Sequence, residues 1–265
     1  MIGGDFMKKE NSYLIPGFHA VRETLIQEKI KINELLIGEG KRPARIEEVV
    51  LIARNRDIPV RFVRKDELSR ILPHAAHQGI VAKAAKFPYA DLDDIIDARL
   101  KSEKKSLLIA VDHVTDDGNL GGLIRSAAFF GADGMVIPKD RSARVTPTLL
   151  KRSSGAFVSL PIARVVNLAR TLGLLNKRGF WIIGASGNAS ESIYEVDWNI
   201  DLVLVLGNEQ KGLSKVVEKQ CHQMVSIPSS GKVESLNVSV AGGVVMSEIA
   251  RQRGLPGFLR GNLSL

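Results

Sequence analysis

Three segments of the chain combine glycine with amide, carboxylate and hydroxyl side chains, a mixture that suits ligand binding better than core packing. Each follows an apolar run, and they span residues 112–125, 207–214 and 227–241. Glycine lets a ligand approach the backbone closely, and the polar side chains can orient it. We treat these three segments as candidate site loops.

Five polar side chains in these loops are candidates for chemistry, although each also has a structural interpretation. Asn119 stands where a helix N-cap is expected, and Arg125 would then be an exposed residue in the second turn of that helix. Glu209 lies between glycines but could belong to a surface turn. Ser235 or Asn237 could simply cap the final helix. Taken one at a time, the loops do not decide between these interpretations.

Several well-known site motifs are missing from the chain. It has no G-x-G-x-x-G after the first strand of its second half, no G-x-x-x-x-G-K-[ST] and no G-x-S-x-G. The five histidines are scattered, and only His113 falls in a candidate loop. The single cysteine, Cys221, cannot form an internal disulfide, and no Cys/His cluster has zinc spacing. We therefore expect no metal centre.

The elements that must position these loops alternate between strand and helix patterns. Residues 106–111 and 202–206 are continuous apolar runs, which are typical of strands buried on both faces of a parallel sheet. Further strands are predicted at 134–138, 157–161, 180–184 and 222–227. Helices are predicted at 120–130, 147–153, 165–177, 213–219 and 237–253. The candidate loops then lie beyond the carboxyl ends of the strands, where such sheets bind ligands.

The first 85 residues predict a separate small α/β domain. Helices are expected at 17–28, 44–55 and 66–72, and strands at 34–37, 59–63 and 79–85. An acidic segment with an amphipathic helix follows. The expected domain plan is a disordered leader at 1–14, a small domain at 15–86, a linker with a helix at 87–104 and a larger domain at 105–265.

Composition and charge narrow the partners. The chain has 265 residues, 45% of them hydrophobic, which is enough to bury a core without disulfides. No apolar run reaches the roughly 20 residues of a membrane span, so we expect a soluble, cytoplasmic protein. The net charge of +8 attracts polyanions. Because only 5% of residues are aromatic, a single-strand binder built on stacking is disfavoured.

The order and spacing of the three loops together resemble the SpoU (TrmH-like) family of RNA ribose 2′-O-methyltransferases, in the SPOUT superfamily. That family's motifs are N-x-G-x-x-x-R, then an apolar strand running into G-x-E-x-x-G, then I-P followed by S-L-N-x-S-x-A. The matching residues are Asn119, Gly121 and Arg125; Gly207, Glu209 and Gly212; and Ile227, Pro228, Ser235, Leu236, Asn237, Ser239 and Ala241.

The first domain shares less specific features with the same family. Residues 15–21 (IPGFHAV) and 77–80 (HQGI) are similar to the start and end of its substrate-binding domain, which has a ribosomal-protein-like fold. This likeness points to the subgroup of bacterial large-subunit rRNA guanosine 2′-O-methyltransferases.

The resemblance implies a fold, a cofactor and an assembly. The larger domain would be an α/β domain with a parallel sheet and a deep trefoil knot, and the chain would form a homodimer. S-adenosylmethionine would be held in the knot by Gly207, Ile227 and Leu236, largely through backbone groups. This is consistent with the missing Rossmann glycines.

The resemblance also implies catalytic roles for Arg125, Asn119, Glu209, Ser235 and Asn237. Arg125 is the family's central residue and is often regarded as the base. However, a guanidinium stays protonated near neutral pH. We therefore expect Arg125 to bind a phosphate or to stabilise the developing alkoxide. Asn119 and Glu209 would orient Arg125 or the ribose, while Ser235 and Asn237 would shape the cofactor and 2′-hydroxyl geometry.

RNA is the expected partner, and a basic stretch is a candidate phosphate track. Its members are Lys139, Arg141, Arg144, Lys151 and Arg152, with a solvated helix face as the alternative. The expected substrate is large-subunit rRNA. A tRNA methyltransferase, a non-catalytic ribosome-assembly protein on the same fold and a small-molecule enzyme with chance motif matches are the alternatives.

Overall fold

The computed structural model describes residues 13–40, 43–73, 76–100, 103–143 and 145–255. They form two compact units. The first consists of the described residues up to Pro88 together with Val145–Val158, and the second of the described residues from Tyr89 to 143 and from Ser159 onward. Residues 1–12 of the predicted leader and Arg144 of the predicted phosphate track lie outside the described residues.

The first unit is built on a four-stranded mixed sheet with the order β1-β4-β2-β3. Its strands are β1 (Tyr13–Pro16), β2 (Ile32–Gly38), β3 (Val60–Val63) and β4 (Ile80–Ala84). Strand β4 runs antiparallel to both β1 and β2, whereas β2 and β3 are parallel. The helices are α1 (Phe18–Gln27), α2 (Ala44–Arg54), α3 (Lys65–Ile71) and α6 (Pro147–Arg152). Leu36, Val63, Leu68, Leu72 and Val81 form one buried cluster of this unit.

Residues 145–158 join the first unit although they lie far from it in sequence. A Cβ built on Gly155 would lie 2.7 Å from Cβ of Glu23, so this chain segment passes directly against α1. Gly155 also has φ +90, a conformation that side chains disfavour. Phe157 in this segment packs 6.1 Å from the ring of Phe87. Apolar packing and a close backbone approach thus hold the segment in this unit.

The second unit is a seven-stranded, fully parallel sheet with the order β7-β6-β5-β10-β8-β11-β9. The strands are β5 (Leu107–Val111), β6 (Gly134–Pro138), β7 (Ile162–Val165), β8 (Trp181–Ala185), β9 (Glu191–Ser192), β10 (Leu202–Leu206) and β11 (Gln223–Ser226). Every residue of β5 and β10 is buried. The predicted α/β class with a parallel sheet is confirmed, and the knot remains a prediction.

The helices of the second unit complete its core. They are α4 (Leu92–Leu100), α5 (Asp117–Phe129), α8 (Leu168–Lys177), α9 (Lys215–Glu218) and α10 (Val238–Gln252), and α7 (Ala156–Ser159) ends where this unit resumes. Ile95 and Ile96 of α4 are buried with α8 against the sheet. A Cβ on Gly242 of α10 would meet Leu123 at 2.5 Å, so α5 and α10 pack closely. No helix among the described residues is long and apolar enough to cross a bilayer.

Most predicted elements occur within a few residues of their expected positions, but one strand was placed wrongly. Residues 157–161 are a short apolar run that was predicted as a strand, yet Ala156–Ser159 is a helical turn and the strand begins at Ile162. The following helix begins at Leu168 because Asn167 caps it by accepting the N–H of Arg170 at 3.0 Å. Strands β1 and β9 were not predicted.

The boundaries of the compact units also differ from the expected domain plan. Helix α4, expected in a linker, contributes to the core of the second unit because its apolar face is buried there. Residues 145–158, expected in the larger domain, contact the first unit instead.

Arg253 ties the end of α10 to the amino-terminal side of the sheet. Its guanidinium donates to four backbone carbonyls: Trp198 at 3.0 Å, Ile200 at 2.7 Å, Lys105 at 2.9 Å and Ser106 at 3.2 Å. Burial lowers the pKa of Arg253, while nearby Asp133 and Asp201 oppose that shift. Because its planar guanidinium carries several N–H donors in a fixed fork, one arginine side chain can reach all four carbonyls.

We expect Arg253→Lys to lower the free energy of unfolding by about 2–4 kcal/mol, because a single ammonium leaves some of these carbonyls unpaired. Urea denaturation followed by circular dichroism measures the change. Arg170→Lys, at an exposed position of α8, is the matched control and should change stability by less than about 0.5 kcal/mol. Equal stability of the two variants would contradict the proposed anchoring.

Candidate active site

The three candidate loops meet at the carboxyl edge of the seven-stranded sheet. Strands β5 and β10 are neighbours, with Val111 opposite Leu206. The loop after each strand therefore begins at the same level, and residues 112–116 lie beside residues 207–214. The third loop follows β11 and leads to α10, whose amino terminus packs near α5: a Cβ on Gly122 would lie 3.1 Å from Cβ of Ser239.

One hydrogen-bonded network joins a residue from each loop. Asn119 donates its side-chain amide to Oε1 of Glu209 at 2.5 Å. Asn237 donates to the same oxygen at 2.6 Å and to Oδ1 of Asn119 at 2.9 Å. Oδ1 of Asn237 in turn accepts the backbone N–H and the hydroxyl of Ser239, at 2.9 and 2.6 Å. Residues separated by up to 118 positions in sequence thus share one carboxylate oxygen.

Asn119 is not the cap of its helix, which corrects the sequence interpretation. Helix α5 begins at Asp117, and Asp116 caps it by accepting the N–H of Asn119 at 2.7 Å. An aspartate three residues upstream is a good N-cap, and that signal was present in the sequence. The side chain of Asn119 is therefore available to Glu209. Asn237, by contrast, both caps α10 and joins the network.

The other two predicted catalytic residues lie on the same elements. Arg125 is exposed in the third turn of α5 rather than in the second, since the helix begins three residues earlier than expected. It is about 9 Å farther along the helix axis than Asn119. Ser235 is exposed two residues before Asn237. The hydrogen bonds given above therefore join three of the five predicted catalytic residues.

The predicted cofactor residues border the same edge and fit an adenosyl group. Gly207 is buried, and a Cβ there would lie 2.5 Å from the carbonyl oxygen of Gly212, so only glycine fits. Ile227 is half-buried and Leu236 is 49% exposed. Residues 227–237 form no helix or strand, so their backbone groups are not committed to a ladder. An exposed leucine in a segment whose backbone is outside any helix or strand suits a flat base with polar edges.

The predicted phosphate track is divided between the two compact units. Lys139 and Arg141 are exposed in the second unit, whereas Lys151 and Arg152 of α6 belong to the first. The fifth member, Arg144, is outside the described residues. Although these cations are close in sequence, each unit therefore carries only two of the four described members.

Sequence reasoning missed Asn208, which shapes the loop that carries Glu209. Its Oδ1 accepts the N–H groups of Gln210 and Lys211 at 2.9 and 3.1 Å, and its amide donates to the carbonyl of His113 at 3.0 Å. Asparagine commonly organises turns in this way. Its position directly after Gly207 was a usable signal.

Comparisons with known proteins give the same pattern for the whole chain. Residues 106–247 match the SpoU rRNA Methylase family, and residues 14–90 match the RNA 2′-O ribose methyltransferase substrate binding family. A protein of Bacillus subtilis named as a candidate TrmH family tRNA/rRNA methyltransferase (YacO) is 37% identical over 247 residues. The match covers 93% of this chain and 98% of that protein.

Solved structures of two related proteins share the architecture. The SpoU methyltransferase AviRb of Streptomyces viridochromogenes is 25% identical with a TM-score of 0.77, over 91% of this chain and 90% of its own, and one of its structures contains AdoMet. An AdoMet-bound rRNA methyltransferase of Sinorhizobium meliloti is 26% identical with a TM-score of 0.76, over 92% of this chain and 88% of its own.

A parallel α/β sheet with a polar network at its carboxyl edge is the arrangement of α/β proteins that bind a ligand beyond the ends of their strands. The particular class follows from the matches: the chain belongs to the SpoU (TrmH) family of RNA 2′-O-ribose methyltransferases. The predicted family is confirmed, and the predicted cofactor is confirmed at the level of the family by the AdoMet complexes of its structural neighbours.

We expect Gly207→Ala to open the turn between Asn208 and Gly212, because the new methyl group would collide with the Gly212 carbonyl. In the wild type these residues exchange two backbone hydrogen bonds, at 2.8 and 3.0 Å. Amide hydrogen exchange at both positions should therefore accelerate at least about tenfold. Gly187→Ala is the control, since a Cβ there lies 4.0 Å from its nearest neighbour. Unchanged protection in Gly207→Ala would contradict this interpretation.

Proposed function

We propose that this chain transfers a methyl group from S-adenosylmethionine to the ribose 2′-oxygen of a guanosine in large-subunit (23S) rRNA. The observation that carries the proposal is the network of Asn119, Glu209 and Asn237, which the fold assembles from three distant loops at one edge of the sheet. Such a constellation is a means of orienting a reacting group rather than a requirement of folding.

When bound, S-adenosylmethionine supplies an activated methyl group, so the protein's task is to position the partners and handle one proton. Gly207, Ile227 and Leu236 would hold the adenosyl part. Their contribution rests on backbone groups of the two loops and on the exposed leucine side chain. The missing G-x-G-x-x-G motif is no obstacle, because these loops take its place.

Arg125 would act as a fixed positive charge rather than as a base, since its guanidinium does not lose its proton near neutral pH. A cation placed on exposed α5 can bind the phosphate beside the target nucleotide or stabilise the developing alkoxide. Asn119 and Glu209 would orient the ribose or Arg125, and Ser235 and Asn237 would shape the approach of the 2′-hydroxyl.

An rRNA substrate is favoured over tRNA by the extent of the structural matches. The rRNA methyltransferase of Sinorhizobium meliloti covers 92% of this chain, which includes the first unit. The Aquifex aeolicus TrmH/SpoU tRNA modifying enzyme covers only 64% of it, with a TM-score of 0.52. The additional substrate-binding region is thus shared with the rRNA enzyme. The curated relatives, which are named for both tRNA and rRNA, keep tRNA as the second candidate.

A homodimer, located in the cytoplasm with its RNA substrate, is part of the proposal. Phe129, Tyr194 and Val240 of the second unit are 68%, 60% and 52% exposed. The last two border an open depression of about 400 Å³ beside α10, which Phe130 also lines. An apolar surface of this kind is typical of an interface. A monomer in analytical ultracentrifugation at micromolar concentration would contradict the dimer.

The substrate proposal predicts that unmodified 23S rRNA accepts labelled methyl from S-adenosylmethionine, whereas tRNA does not. Nuclease digestion should then place the label in a 2′-O-methylguanosine. Label in tRNA alone would keep the reaction and overturn the substrate. If neither RNA is labelled although S-adenosylmethionine binds, the ribosome-assembly alternative would gain support, and a purified ribosomal particle would be the next substrate.

The Arg125 proposal predicts that Arg125→Ala lowers kcat by about 100- to 1,000-fold, the loss expected when one charge-stabilising donor is removed. Arg125→Lys should recover part of it, because the charge remains but the fork is lost. Arg170→Ala, also an exposed helical arginine of the same unit, should leave the rate unchanged. Full turnover by Arg125→Ala with bound RNA would contradict the assignment.

A further inference from the structure

A buried carboxylate lies directly after β5, next to the network but outside it. Asp112 is 2% exposed, which is unusual for an aspartate. Its Oδ2 accepts the backbone N–H of Ser214 at 2.7 Å, and its Oδ1 lies 2.6 Å from Nδ1 of His113. A buried charge persists only when it is well paired, so these two contacts account for its presence.

Asp112 and His113 hold the loop of Glu209 at both ends. At the start of that loop, the Asp112 N–H donates to the Leu206 carbonyl at 2.8 Å. One residue past Gly207, the Asn208 side chain donates to the His113 carbonyl at 3.0 Å. At the end of the loop, Ser214 donates to the Asp112 carboxylate. His113 adopts φ 58, a left-handed backbone conformation that is uncommon for residues other than glycine.

Between these fixed ends the loop has little freedom. Asn208 and Gly212 exchange two backbone hydrogen bonds, and there is no room for a side chain at Gly207. Glu209 therefore projects from a short turn whose position depends on where residues 208 and 214 are held. Any shift of that turn moves the oxygen that Asn119 and Asn237 share.

We propose that Asp112 is a positioning residue, which fixes Glu209 by binding the Ser214 end of its loop. The proposal rests on the proposed methyl transfer for its catalytic consequence, but the positioning itself concerns only this chain. A carboxylate suits the task because it offers one oxygen to Ser214 and a second to His113.

Four variants separate positioning from mere folding. Asp112→Ala removes the acceptor, and Ser214→Pro removes the donor at a residue whose φ of −66 already suits proline. Ser214→Ala is the matched control at the same position: it keeps the N–H and deletes a buried hydroxyl that has no partner among the described residues. Asp112→Asn keeps one oxygen for Ser214 and should rescue most of the loss.

The first readout is the pair of side-chain amide resonances of Asn119 and Asn237 in nitrogen-15 NMR, because both groups bond to Glu209. Asp112→Ala and Ser214→Pro should shift them as Glu209→Ala does, whereas Ser214→Ala should not. If one of these two variants fails to fold, the other still gives the result. Unshifted resonances in a folded Asp112→Ala or Ser214→Pro protein would overturn the proposal.

The second readout is turnover. We expect kcat to fall by about 100-fold in Asp112→Ala, the cost of an ångström-scale misplacement, with little change in KM for RNA. In a Glu209→Ala background the same substitution should have no further effect on kcat, since the residue that it positions is gone. A full additional loss in that background would indicate a separate structural role and overturn the proposal.

The two readouts also distinguish this proposal from the proposed function. If the wild-type protein transfers no methyl group but the amide resonances respond as described, the reaction is wrong and the positioning stands. If methyl transfer occurs and the resonances do not shift in Asp112→Ala, the proposed reaction is supported and the positioning role is wrong.

Discussion

The candidate site depends on the parallel pairing of β5 with β10, because that pairing brings two loops together that are 90 residues apart. Once Val111 stands opposite Leu206, Asn119 and Glu209 need only short turns to meet. The hydrophobic effect supplies this pairing, since both strands are buried on both faces. Asn237 then completes the network from the N-cap of α10. Core packing thus sets the geometry of a polar site that is itself exposed.

Glycine has a second function in this arrangement, beyond leaving room for a ligand. At positions 122 and 242 it lets α5 and α10 approach each other, and at 207 it lets the loop fold back on Gly212. These contacts leave no space for even a methyl group without displacement. These three glycines, of which only Gly207 belongs to a family motif, therefore act through close contacts within the chain, which place the amides and the carboxylate for the ligand.

The sequence allowed the class of fold and most elements to be predicted, because apolar runs are local signals. The five catalytic candidates came from loop motifs, and their roles stay predictions. The sequence did not reveal that Ala156–Ser159 forms a helical turn, since a short apolar run such as Phe157-Val158 fits a strand or a helix equally well and its packing is decided by distant partners. Nor could it show that residues 145–158 pack with the first unit. The hydrogen bonds to the shared oxygen of Glu209 could not be predicted either, because a bond between residues 90 positions apart leaves no local sequence pattern.

The reaction also requires that the ribose 2′-hydroxyl lose its proton. A guanidinium such as that of Arg125 has no lone pair to accept it, and Oε1 of Glu209 already accepts two amide N–H groups. With this oxygen engaged, Glu209 is better placed to orient a hydroxyl than to remove its proton. We therefore expect the hydroxyl proton to pass to water as the methyl group is transferred, while Arg125 stabilises the negative charge that this leaves on the 2′-oxygen. On this argument, how firmly the loops hold these side chains in place matters more to the rate than the strength of any single base.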